Sequence, residues 1–218
     1  MKRARALGLA AALLAFAAAG SAQTAAPSSA PTPVAPVAQV TGVDKAALLI
    51  IDIQNFYFEG GRVPLVGSVE ASLKAKRVLE AFRAAGRPVI HVRHTPAKDP
   101  NTADPSYAIH ANVAPRQGEA IIAKHFANAF RETDLAANLK TLGVKTLVIC
   151  GMQTHMCVEA AVRHAADLGY EVILVEDACA TRDLTYGGAS VPARQVHLAV
   201  LAALNGTYAK VIAADAVK

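Results

Sequence analysis

The sequence predicts a doubly wound α/β fold, in which a mostly parallel sheet carries helices on both faces. Three observations point there. Short, continuous apolar runs such as residues 46–51 read as strands buried on both sides. They alternate with longer segments whose apolar residues recur at helical spacing. Strands that alternate with helices join as parallel neighbours through crossovers.

Taken in order, Ala46-Ala47-Leu48-Leu49-Ile50-Ile51 is the first strand and ends at Asp52. Residues 69–85 form a helix that stops at Gly86, a residue suited to the left-handed position after a helix. A second strand over 88–92 runs into His91-Val92-Arg93-His94. Residues 95–118, rich in Pro, Asn and Asp, read as a long irregular loop, and loops of that length are usually functional or disordered. A helix over 133–142 ends at Gly143, a strand follows over 146–150, and a helix over 158–168 ends at Gly169. Strand 171–175 leads into Glu176-Asp177-Ala178, then come a helix over 192–204 and a last strand over 208–213. In sheets of this kind, ligands bind beyond the carboxyl ends of the strands. Asp52, His91, His94, the segment from Cys150 to Cys157, and Asp177 are therefore the first places to look for chemistry.

Composition bounds the reading. The chain has 218 residues, 53% hydrophobic and 18% charged, enough for one packed domain whose core is built from Ala, Val and Leu in the absence of Trp. Lys2, Arg3 and Arg5 precede an apolar run over 7–19 and the small residues Gly20-Ser21-Ala22, the order of a secretory signal peptide. The run is short of the roughly 20 residues that span a bilayer. The expectation is a cleaved signal peptide over 1–22, a flexible Pro/Ala linker over 23–39, and one folded domain over 40–218. This implies an exported protein, periplasmic or secreted, with no stable membrane insertion after cleavage. Without those three basic residues the formal charge of +5 falls to +2, which gives no electrostatic case for nucleic acid.

Three cysteines, Cys150, Cys157 and Cys179, leave at least one thiol outside any disulfide. Cys150 closes a strand and Cys179 follows one, so both read as buried structural thiols. Cys157 lies where a strand end, Gly151-Met152-Gln153-Thr154-His155-Met156, passes into a helix start. Unpaired N–H groups and the positive end of the helix dipole favour thiolate there and can hold an oxyanion. Asp52 could converge on the same crevice, and Lys124, in Ile121-Ile122-Ala123-Lys124-His125, could project into it. A carboxylate, an ammonium and a thiol form a workable acyl-transfer set. Taken singly, Asp52 could cap a turn and Lys124 could be a solvated surface charge.

Three segments decide between these readings: Leu48-Leu49-Ile50-Ile51-Asp52-Ile53-Gln54-Asn55; Lys124 with Asn128-Ala129-Phe130 and Thr133; and Gly151 to Val158. With Arg163, the residues from Ala165 to Tyr170, and Asp177-Ala178-Cys179-Ala180-Thr181, they resemble the isochorismatase-like cysteine hydrolases over about residues 45–213. That family includes nicotinamidases, N-carbamoylsarcosine amidohydrolase and streptothricin hydrolase. The resemblance implies a Rossmann-like three-layer fold, an Asp52–Lys124–Cys157 triad and a cis peptide at Met152–Gln153. It also implies an oxyanion hole from the N–H groups of Gln153 and Cys157, and a homo-oligomer, dimer or tetramer. Tyr57 takes the place of a substrate-facing aromatic, with Phe58 and His155 as further pocket candidates.

Nicotinamidases also hold a metal through an Asp-x-His element, which this chain lacks; His91 and His94 alone could suggest only a partial site. The expectation is a metal-independent hydrolase with no cofactor, cleaving a C–N bond of a small-molecule amide, lactam or related compound through a Cys157 thioester. Two alternatives stay open: an isochorismatase-type vinyl-ether hydrolase, and an idle small-molecule-binding protein on the same fold.

Overall fold

A computed structural model describes residues 45–99 and 102–217. The expected signal peptide, the linker and the first residues of the domain lie outside the described residues. Among the described residues, eight strands and four α-helices follow in the order β1 (Ala46–Ile51), α1 (Ser68–Ala84), β2 (Val89–His94), β3 (Ala120–Lys124), α2 (Leu135–Thr141), β4 (Thr146–Met152), α3 (Glu159–Asp167), β5 (Glu171–Ala180), β6 (Leu184–Tyr186), β7 (Ala189–Val191), α4 (Ala193–Leu204) and β8 (Lys210–Ile212). Six strands form one sheet in the order β3-β2-β1-β4-β5-β8, with every neighbouring pair parallel. The expected doubly wound fold is present.

Its central strands are apolar because both faces are covered. All six residues of β1 and all seven of β4 are buried. The connection through α1 runs one way across the sheet, and those through α2, α3 and α4 run the other way. Right-handed crossovers therefore place α1 on one face and the other three helices on the opposite face. The direction of winding reverses between β1 and β4. That reversal opens a crevice at their carboxyl ends, where ligands bind in such sheets.

Three elements differ from the sequence reading. β3 lies just past the loop read over 95–118, in a segment assigned to no element; it is an edge strand whose alternation buries Ile122 and Lys124 and exposes Ile121 and Ala123. β6 and β7 form a small antiparallel hairpin whose residues are mostly exposed, so no apolar alternation announces it. Within the long loop, short 3-10 turns form at Pro105–Tyr107 and Ala111–Val113. The loop is tied to the end of β1 by His110 N–H to the Ile53 carbonyl (2.8 Å) and Asn55 N–H to the Ala108 carbonyl (3.0 Å). Among the described residues, no helix is long and apolar enough to cross a membrane.

A partly buried charge cluster joins α1, β2 and the approach to β3. Glu119 accepts from Arg83 Nε (2.6 Å) and Nη2 (2.8 Å), and from the Arg116 N–H (2.8 Å). His91 Nε2 lies 3.0 Å from the same carboxylate. The Arg83 hydrogen bonds hold the Glu119 carboxyl down at about 2. Its folded pKa lies below its ordinary value, so the stabilisation is complete above about pH 4.5 and fades as the pH falls towards 2. Glu119→Gln should therefore cost about 2 kcal/mol near pH 6, and much less near pH 3. Urea unfolding of both proteins at the two pH values checks this; a cost independent of pH would refute it.

Candidate active site

The site is assembled at the winding reversal. β1 ends at Asp52, whose backbone takes φ of 50° and whose N–H still donates to the Val92 carbonyl of β2 (3.0 Å). Asp is among the few residues that tolerate this left-handed region. On the next strand, Gly151 pairs with Ile51 and has φ of 136°. A Cβ on Gly151 would collide with the Ile51 carbonyl oxygen, so only glycine lets β4 press this closely on β1. The Met152–Gln153 peptide that follows is cis. A wide π-type turn, Thr154–Val158, then carries Cys157 and leads into α3.

Lys124 arrives from the other side of β1. It ends β3 in register with His94 and is fully buried. Three acceptors surround its ammonium group: Asp52 Oδ2 at 2.6 Å, the Phe126 carbonyl at 3.1 Å and Cys157 Sγ at 3.3 Å. An ammonium has three donors, so this shell can engage all of them. Burial alone would lower the Lys124 pKa, but the Asp52 carboxylate and the Cys157 sulfur outweigh it and the net shift is upward. Asp52 is also fully buried, and its Oδ1 accepts no hydrogen bond among the described residues.

The state of the thiol differs from the expectation. Its place before a helix suggested a favoured thiolate. Instead burial, followed by the Asp52 carboxylate, pushes the Cys157 thiol up to about 12, with Lys124 opposing only in part. The physical reason is that a second anion beside a buried carboxylate is costly. The resting site therefore holds a neutral thiol beside a proton acceptor. Cys150 and Cys179 are buried and free, as is Cys157, and burial raises the pKa of each.

A cavity of about 210 Å³ opens onto Cys157, with Gln153, Met156, Tyr57, Phe56, Arg62 and His94 on its walls. Gln153 is clamped on both sides. Its Nε2 donates to the Tyr57 hydroxyl (3.3 Å), and its Oε1 accepts from Arg182 Nε (3.2 Å). Its carbonyl accepts from the N–H groups of Met156 (3.0 Å) and Val158 (3.3 Å). Among the sequence-predicted residues, Asp52, Lys124 and Cys157 converge, and Gln153 and Tyr57 share the cavity with the thiol. Two pocket candidates do not line it. Phe58 stacks on His110 with ring centroids 3.7 Å apart, and His155 turns its Nδ1 to Thr181 Oγ1 (2.6 Å). Both rings are taken up by packing partners instead.

His91 and His94 do not form a pair. An odd separation on a strand sends them to opposite faces. His91 belongs to the Glu119 cluster, while His94 lines the cavity. Asp177 is likewise structural: its Oδ1 accepts from the Ala214 N–H (2.7 Å) and its Oδ2 faces Lys74 (3.3 Å).

Three residues of the site were not singled out from sequence. Gln54, fully buried, donates to the carbonyls of His94 (2.9 Å) and Tyr107 (2.7 Å) and accepts from the His94 N–H (2.9 Å). Its position two residues after Asp52 was the available signal. Arg182 and Arg62 reach the site from loops, and nothing in their local sequence marks them.

Comparison with known proteins agrees with this architecture. The family model described as Isochorismatase domain matches residues 46–217. An uncharacterized isochorismatase family protein of Bacillus subtilis strain 168, YddQ, is 46% identical over 176 residues, covering 78% of this chain and 97% of the relative. The maleamate amidohydrolase of Pseudomonas putida is 32% identical, over 63% of this chain and 73% of that protein. Among solved structures, a provisionally assigned isochorismatase hydrolase from Oleispira antarctica superposes with a TM-score of 0.76 and 44% identity, covering 81% of this chain and 97% of that one. These likenesses support a hydrolase.

The electrostatics of the thiol can be tested without a substrate. Alkylation by iodoacetamide follows the thiolate fraction. Asp52→Asn removes the charge that pushes the thiol up, so the pH midpoint for labelling Cys157 should fall. Lys124→Met removes the opposing charge, so the midpoint should rise. Peptide-resolved labelling rates between about pH 7 and 11 read both directions; shifts of the opposite sign would contradict the account.

Proposed function

This chain belongs to the isochorismatase family, and on that footing we propose that it is a cysteine hydrolase cleaving a C–N bond of a small amide, lactam or related compound. The observation that carries this reading is the convergence of Asp52 Oδ2 and Cys157 Sγ on one buried ammonium, at 2.6 and 3.3 Å, beside a small cavity. A carboxylate that neighbours a neutral thiol is placed to take its proton.

The reaction proceeds in two halves. As the sulfur attacks the substrate carbonyl carbon, the thiol proton passes to Asp52 and an oxyanion forms. The N–H groups of Gln153 and Cys157 are the proposed donors to that oxyanion. The C–N bond then breaks, the amine leaves with the proton held by Asp52, and a thioester remains on Cys157. Water attacks the thioester carbon and gives a proton to Asp52. The C–S bond breaks, the acid departs, and the sulfur recovers the proton. Lys124 stays charged throughout, holds the carboxylate and sulfur together, and offsets negative charge as it moves between them.

The maleamate amidohydrolase among the relatives supports C–N chemistry. The basic start and apolar run of the chain support action outside the cytoplasm, as the proposed setting. A panel of small amides, lactams, ureides and carbamoyl compounds, with isochorismate included, should yield amine or ammonia release from the wild type. Cys157→Ala should lower that turnover by about 10³-fold or more. Intact mass spectrometry of rapidly quenched wild type should show an acyl adduct on Cys157. Undiminished turnover by the alanine variant would sink the thioester scheme.

A further inference from the structure

The cavity in front of Cys157 carries one charge that the proposed hydrolytic steps do not use. Lys124 is occupied by Asp52, the Phe126 carbonyl and the thiol. His94, on the cavity wall, is held towards its neutral form by burial and then by Lys124. Arg62 is the remaining cation of the lining.

Arg62 stands at the exposed rim, but its guanidinium is not loose. Its central carbon lies 5.7 Å from the Phe56 ring centroid and 5.2 Å from that of Tyr107. Its Nη2 donates to the Tyr107 hydroxyl at 2.9 Å. Stacking on two rings and one hydrogen bond fix the orientation of the planar fork. A guanidinium offers five N–H donors, and Tyr107 takes one. Among the described residues no acidic side chain forms an ion pair with Arg62. Asp104 lies within its field, yet that carboxylate accepts from the Ser106 N–H at 2.8 Å instead. A positioned fork without a carboxylate partner therefore borders the same small cavity as the nucleophile.

We propose that Arg62 is a specificity-determining residue that binds a carboxylate on the substrate, so that the enzyme acts on small acid amides with the amide carbonyl at Cys157. This deepens the cysteine-hydrolase reading and rests on it. A planar guanidinium matches a carboxylate bidentately, whereas a neutral amide engages it weakly. The cavity, about 210 Å³, falls below the 300–1,000 Å³ usual for ligand pockets, which restricts the substrate to a short chain. Phe56 and Tyr57 also line the cavity and suit an apolar spacer.

The test compares succinamic acid, an amide with a carboxylate, with succinamide, its neutral diamide. Ammonia release is measured with the wild type, Arg62→Met and Arg62→Lys. The wild type should favour the acid in kcat/KM by about 10-fold or more, chiefly through KM. Arg62→Met should bring the ratio near one, and Arg62→Lys should fall between. Succinate binding to Cys157→Ala, measured by calorimetry, should weaken by about 10-fold or more when Arg62→Met is added. A wild-type preference for the diamide, an unchanged ratio in Arg62→Met, or succinate binding indifferent to Arg62 would each overturn the proposal. If succinate binding depends on Arg62 but neither amide is hydrolysed, the carboxylate site stands and the proposed reaction falls.

Discussion

The constraint on which the rest of the structure depends is the burial of one ammonium group, that of Lys124. A charged amine has no place in a low-dielectric interior unless its donors are met and its charge is balanced. Here the balancing carboxylate comes from the end of β1, one acceptor from the chain just past β3, and the sulfur from the turn after β4. Those three sources lie on different segments of the sheet. The cluster forms only when the β3-β2-β1-β4 order and its registers are correct. The contact of Gly151 with Ile51 and the clamp of Gln54 on His94 serve that same registration.

Burial and then the Asp52 carboxylate disfavour a thiolate at Cys157. Lys124 cannot favour both anions equally, because the carboxylate lies closer to it than the sulfur does. Asp52 keeps the ammonium and the proton stays on sulfur. A thiol in its neutral form reacts less readily than a thiolate. The burial of Cys157 among aromatic and backbone walls is thus part of its control.

β2 divides its two faces between structure and site. His91 points into the Arg83–Glu119 cluster, which fastens α1 to the sheet, while His94 points towards the cavity. The same strand thereby supports the helix layer on one side and forms a cavity wall on the other. From the loop after β2, Tyr107 accepts a hydrogen bond from Arg62, which lines the cavity. What read as an irregular loop thus includes a short ordered turn, Pro105–Tyr107, that holds Arg62.

The strands β1 and β4 and the helix ends were legible because each has a local signature. The apolar runs of β1 and β4 are buried on both faces, and Gly86 takes a left-handed φ of 63° beyond α1. β3 was not legible, because an edge strand that shows Ile121 to solvent and buries Lys124 has no apolar signature. The charge state of Cys157 was not legible either. A helix start is visible in sequence, but the carboxylate that reverses its effect lies 105 positions earlier, by the numbering of Asp52 and Cys157. Phe58 and His155 sit beside the cavity-lining Tyr57 and Met156 and yet face His110 and Thr181, since neighbouring side chains on a turn diverge. The sequence by itself determined the layers, the winding and which reactive groups stand at strand ends. Only the tertiary structure decided which of those groups meet, which one holds the proton, and that Arg62 faces the same cavity, because each depends on distances between segments that no local pattern encodes.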